Sequence, residues 1–173
     1  MKKSLAILFF ILCSTLIFSQ QIKIKWYTVN DVEKLLYESP RPVFIDTYTD
    51  WCGWCKKFDS DTFTNPVIAD ILNNKFYPVK FNAEGKDTVY FMGKKFINDG
   101  KYGASHQLGV ALLKGQMSFP TVVFLNEKGQ LVAPVPGFRE PKEMEVLLSF
   151  FAEKVYEKQN YEDYAKAFKG KVK

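Results

Sequence analysis

The stretch that most limits how this chain folds runs from Val43 to Lys57. There a β-branched and aromatic run, Val43-Phe44-Ile45-Asp46-Thr47-Tyr48, leads almost at once into Trp51-Cys52-Gly53-Trp54-Cys55-Lys56-Lys57. The first half reads as a strand and the second as the opening of a helix, so two cysteines sit at a strand-to-helix junction. Cysteines three apart close too short a loop to restrict the unfolded chain much, so a bridge between them is a poor structural staple and the spacing points to chemistry. At a helix N-terminus, Cys52 faces unpaired backbone N–H groups and the positive end of the helix dipole, which favour its thiolate, while Cys55 lies one turn deeper and is shielded. Disulfide exchange needs an accessible attacking thiolate and a second thiol to resolve the mixed disulfide, which assigns attack to Cys52 and resolution to Cys55. A zinc site would need more ligands than these cysteines and His106, and haem attachment would need histidine where Lys56 stands, so no metal is expected.

The beginning of the chain has a different character. Lys2 and Lys3 precede an uncharged apolar stretch from Leu5 to Phe18 and then Ser19-Gln20-Gln21, the layout of a secretory signal peptide. The stretch is shorter than the roughly 20 residues that span a bilayer as a helix, which disfavours a permanent anchor. Cleavage is expected after Ser19, although Ile17 is large for the position three before the cut. A lipid-modified Cys13 is rejected, because Leu12 is bulky and a cut there would halve the apolar stretch. The expected mature protein, residues 20–173, is long enough for one domain that buries roughly two-thirds of its unfolded surface. It keeps two cysteines, in a periplasmic or otherwise extracytoplasmic compartment where disulfides persist. The net charge of +5 includes Lys2 and Lys3, and the remaining charge of about +3 on the mature chain is spread without a concentrated basic face, which speaks against nucleic acid and against membrane attraction.

Further along, Val29, Val32, Leu35 and Leu36 have helical spacing, ended by Ser39-Pro40-Arg41-Pro42. Asn65-Pro66 caps a second helix carrying Val67, Ile68, Ile71 and Leu72, which Asn73-Asn74 should end. Phe76 to Asn82 reads as a strand, giving a βαβ crossover with parallel strands. Between Gly85 and Gly115 the sequence predicts a hairpin (Val89 to Phe91, Lys95 to Ile97) and a helix from Ser105 to Leu113. Phe119-Pro120-Thr121-Val122-Val123-Phe124-Leu125 is a strand, turned at Asn126 to Gly129 into another that starts at Gln130. Pro141 to Val155 and Tyr161 to Phe168 complete the pattern as helices.

This order resembles the thioredoxin fold from about Thr28 to Phe151: an α/β architecture with a central mixed sheet flanked by helices, here with a hairpin-helix insertion (about 85–117) and an extra C-terminal helix. The segment FIDTYTDWCGWCKKFDSDTFTNPVIADILNNKFYPVKFNAEG is similar to a branch of exported bacterial thioredoxin-like proteins in which an Asn-Pro helix follows the cysteine helix. That branch includes reducing domains fed by a membrane electron carrier. Four features carry the likeness in order: Asp46 six residues before Cys52, the WCxxCK core, Lys80 in the second strand, and Phe119-Pro120-Thr121. Trp54 departs from the proline usual between the cysteines.

The resemblance implies that Asp46 accepts the Cys55 proton, that Lys80 modulates Asp46, and that a cis Phe119–Pro120 bond faces the cysteines with Phe119 backbone groups free to pair with an extended substrate. The bland alternatives are a hydrogen-bonded strand aspartate, a lysine reaching solvent and an ordinary strand-start proline. Trp51 and Trp54 flank the cysteines as an apolar docking surface, with core filling as the rival, stronger for Trp51. His106, alone, reads as structural or surface. Tyr90, Phe91 and Phe96 serve either a substrate groove or the core. The leading expectation is an extracytoplasmic thiol–disulfide oxidoreductase that reduces protein or peptide disulfides, needs no bound cofactor, draws on a membrane electron donor and acts as a monomer. The alternatives are an oxidase or isomerase, and a holdase that binds clients without turnover.

Overall fold

The computed structural model describes residues 22–173; the expected signal segment and its cleavage point lie outside them. Four strands form the central sheet in the order β2-β1-β5-β6: β1 Val43–Tyr48, β2 Tyr77–Asn82, β5 Thr121–Leu125 and β6 Leu131–Pro136. β1 runs parallel to β2 and antiparallel to β5, which is antiparallel to β6. A separate hairpin, β3 Val89–Phe91 and β4 Lys94–Phe96, belongs to the insertion. The helices are α1 Val29–Glu38, α2 Gly53–Lys57, α3 Pro66–Lys75, α4 Gln107–Leu112, α5 Pro141–Ala152 and α6 Tyr161–Ala167. The expected mixed sheet, insertion and extra C-terminal helix are all present. No described helix is long and apolar enough to cross a membrane.

Local signals set most boundaries. Thr28 caps α1 through a reciprocal pair with Asp31, and Asn65 Oδ1 accepts the N–H of Val67 (2.9 Å) at the head of α3, with Pro66 in its first turn. Some edges move. Asn73 and Asn74 lie inside α3, which continues to Lys75, and β4 starts one residue earlier than expected. β5 begins at Thr121, because Pro120 has no N–H to give to the ladder. α5 stops at Ala152 and not Val155, since Lys154 takes a left-handed conformation (φ 54°).

Strand alternation divides the core into two layers. Val43 and Ile45 of β1, with Val79, Phe81 and Val123, pack against α1, the hairpin and α4. Phe44, with Val122 and Phe124, packs against Phe58, Phe63, Ile68, Leu72, Met144 and Leu148 on the other face. The same alternation turns Asp46 and Lys80 to that second face. They are direct register partners across β1 and β2, so the sheet itself delivers a carboxylate and an ammonium side by side.

Candidate active site

β1 ends at Tyr48, and Thr49 accepts the Cys52 N–H (3.1 Å) in the turn that starts α2. Cys52 is the N-cap, with extended backbone, and its Sγ accepts the Cys55 N–H at 3.0 Å. The two cysteines form a disulfide. Cys52 therefore stands where the orphan N–H groups of the first turn point, and Cys55 lies within the helix. Both are 3% exposed, so the expected difference in accessibility does not exist in the bonded state. Position at the helix head, and not burial, distinguishes them.

After Lys57 the helix widens into a π-helical turn, Phe58–Thr62, closed by the Phe63 N–H donating to the Phe58 carbonyl (3.1 Å). This turn carries Asp59, which the sequence reading passed over. Its carboxylate accepts from Lys80 Nζ, which also donates to Asp46 Oδ2 at 2.6 Å. The available signal was spacing: Asp59 lies four residues after Cys55, on the same side of a helical turn.

Asp46 is fully buried, and its Oδ1 has no hydrogen-bond partner among the described residues. Burial pushes its pKa up to about 6 against the pull of Lys80, because one donor cannot replace the water both oxygens have lost. Lys80 also goes up: burial works against its charge, but the two carboxylates outweigh it. The lysine does not reach freely into solvent. Its ammonium lies 5.1 Å from the ring centroid of Trp26, 5.2 Å from Tyr48 and 5.3 Å from Phe63. Trp26, two residues before the α1 cap, was also missed; a lone aromatic outside any periodic segment carries no local signal.

The Phe119–Pro120 bond is cis. Pro120 accepts from the Gly137 N–H at 2.9 Å, whereas the backbone N–H and C=O of Phe119 make no hydrogen bond among the described residues. The Phe119 ring meets Trp51 edge-on at 6.0 Å, and Trp54 lies 5.5 Å from Phe138. The rival reading of Trp51 as core filling does not hold: it is 68% exposed, more than Trp54 at 59%. The Glu84 carboxylate holds its indole N–H at 2.9 Å, which keeps the ring at the surface. His106 is buried and structural. Its Nδ1 accepts the Leu108 N–H at the head of α4, and its Nε2 lies 3.0 Å from the Asp87 carbonyl. Phe91 and Phe96 join the core and Tyr90 is exposed, so the hairpin packs against α1 more than it shapes a groove.

Comparison with known proteins agrees with this geometry. Residues 29–152 match the family described as thioredoxin-like domain. The chain is 31% identical over 118 residues to the thiol:disulfide interchange protein DsbD of Escherichia coli strain K12, an alignment covering 65% of this chain and 17% of that protein. The chain thus corresponds to a small part of the length of the curated relatives it matches. Among solved structures, a thioredoxin-fold protein from Helicobacter pylori superposes with a TM-score of 0.59 at 15% identity, covering 73% of this chain and 83% of that one. A thioredoxin from Thermus thermophilus gives 0.54 at 18% identity, with 73% and 85% covered. With its cysteine pair at the head of α2 and this match over most of its length, the chain belongs to the thioredoxin-like domain family.

Proposed function

We propose that this protein is an extracytoplasmic thiol–disulfide oxidoreductase that reduces disulfides in protein or peptide clients. The mature form would be a single domain, residues 20–173, released by removal of a signal peptide. The observation that carries the reading is the Cys52–Cys55 disulfide at the head of α2, with Cys52 as the N-cap and the partnerless backbone of Phe119 offered by the neighbouring loop.

In the reduced protein, the Cys52 thiolate attacks one sulfur of a client disulfide. A Cys52–client S–S bond forms, the client S–S bond breaks, and the electron pair leaves on the second client sulfur. Cys55 then loses its proton and attacks Cys52 Sγ, releasing the first client sulfur as a thiolate. Two electrons have moved to the client, and the internal disulfide returns. An external dithiol donor must reduce it again, the role assigned to a membrane electron carrier. Asp46, with its pKa raised toward neutrality, is suited to accept the Cys55 proton, while Lys80 limits that rise. Phe119 backbone groups would pair with an extended client segment, and Trp51 and Trp54 would flank it. Neither Gly53 nor Trp54 can carry a positive charge beside Cys52, which supports a reductant over an oxidant.

The test is trapping. Cys55→Ser keeps attack and loses resolution, so mixed disulfides should accumulate on Cys52, and Cys52→Ser should trap almost nothing. Adducts found by mass spectrometry mainly on Cys55 would reverse the roles. Suppression of client aggregation that survives removal of both cysteines would favour a holdase.

A further inference from the structure

The segment ahead of α1 is fastened to the molecule at both ends. Asn73 of α3 clasps it twice, its Oδ1 accepting the Lys25 N–H (2.8 Å) and its Nδ2 donating to the Lys23 carbonyl (2.9 Å). Tyr27 bridges to β2, donating to the Pro78 carbonyl (2.8 Å) and accepting from the Lys80 N–H (3.3 Å). Between these fastenings Trp26 turns inward, its ring 5.2 Å from Phe63 and 6.4 Å from Phe44, against the Lys80 ammonium. A surface cleft of about 470 Å³, lined by Ile22, Ile24, Trp26, Phe63 and Thr64, ends on Asp59 and Lys80. It is one of two clefts that reach the pair, the other running past Thr28, Tyr48 and Asn82 to Lys80, and the Trp26 ring forms part of its wall.

We infer that Trp26 is a positioning residue that keeps water off the Asp46–Lys80 pair, with the Lys23–Tyr27 segment serving as the strap that holds the ring in place. An ammonium against an aromatic face keeps a favourable partner that is not water, so the ring can close this side without unpairing the lysine. The charged and titratable groups facing Asp46 are Lys80 from β2, Asp59 from the π-helical turn and Tyr48 from its own strand, while Cys55 from α2, whose proton Asp46 is proposed to accept, is held in the disulfide and does not titrate in that state; Lys23 lines the outer cleft. The neighbouring β5 partner, Val122, is apolar. Removing the ring leaves Lys80 tied to both carboxylates, so the change expected at Asp46 is entry of water and not loss of its cation. Easier solvation of the charged form lowers a carboxyl pKa.

The consequence for catalysis rests on the proposed proton-accepting role of Asp46, but the seal itself is measurable without turnover. Carbon-detected NMR titration of the Asp46 carboxyl in the full chain should show its midpoint fall by about one pH unit or more in Trp26→Ala, a shift of the size solvation changes produce. Trp26→Phe, which keeps an aromatic face, should restore most of the wild-type midpoint. Asn73→Ala releases the strap and leaves the ring intact, and should shift the midpoint in the same direction by less; it decides the matter if Trp26→Ala does not fold. A midpoint that is unmoved or raised in folded Trp26→Ala, or unmoved in Asn73→Ala where that variant must decide, overturns the inference. If the midpoint falls while the pH profile of disulfide exchange stays in place, the seal stands and the catalytic role of Asp46 is lost instead.

Discussion

Lys80 Nζ lies 2.6 Å from Asp46 Oδ2 across the β1–β2 pair, and among the described residues it is the sole hydrogen-bond partner of a carboxyl whose other oxygen has none. Asp46 is thereby ionisable but uncomfortable when ionised. A shift from 3.8 to about 6 is about two units, or about 3 kcal/mol at 1.36 per unit.

The sign of the pH dependence follows. Because the folded pKa is raised, the protonated carboxyl favours the fold, and that contribution is complete below 3.8 and lost as pH rises through about 6. Chemical denaturation of the wild type should show up to about 3 kcal/mol disappearing between pH 4 and 8 from this group. Asp46→Asn should flatten that slope, remain folded, and slow disulfide exchange near neutral pH. An unchanged exchange rate across the pH range would reduce Asp46 to a structural residue.

Replacing the cation is expected to do more harm than replacing the acid. Lys80→Leu leaves the buried carboxylate unpaired, at a cost of about 3 kcal/mol or more at pH 8. At pH 5 the loss should be much smaller, since the carboxyl escapes by taking a proton. The Asp46 titration midpoint should rise above its wild-type position, and equal destabilisation at both pH values would argue against the pairing.

A second buried acid ties down the end of the chain. Glu145 of α5 accepts the backbone N–H groups of Lys171 (2.6 Å) and Val172 (2.9 Å), and a Cβ at Gly170 would collide with its carboxylate. Glu145→Ala should release this tail and cost about 2 kcal/mol, the scale of hydrogen bonds to a charged group. Hydrogen exchange at Lys171 and Val172 should accelerate while β1 stays protected.

The redox direction can be read by equilibration against a glutathione series. The expected reduction potential lies nearer thioredoxin's about −270 mV than the about −120 mV of a strong oxidant, a gap of roughly 7 kcal/mol. A value above about −180 mV would sink the reductase assignment and leave the fold untouched.

Much of this protein was legible from short-range signals. Thr28, Asn65 and the prolines at 40, 42, 66 and 141 mark helix edges through backbone chemistry that acts within a few residues. The β-branched and aromatic run from Val43 to Tyr48 and the cysteines beyond its end placed the strand and the site beside it. Asp46 and Lys80 were named from the resemblance to the thioredoxin fold.

What stayed hidden depended on segments distant in sequence meeting in space. Trp26, Asp46, Asp59 and Lys80 come from four segments, and only the parallel pairing of β1 with β2, the π-helical turn and the strap held by Asn73 bring them to one point. The exposure of Trp51, against the rival reading of core filling, has the same origin, since Glu84 from beyond β2 holds the indole at the surface. The sequence by itself determined which elements form and where the two sulfurs stand, because caps, prolines and β-branched runs act locally. Only the tertiary structure decided how those sulfurs' surroundings are charged and sealed, because desolvation and ion pairing depend on what packs against a group and not on its neighbours in the chain.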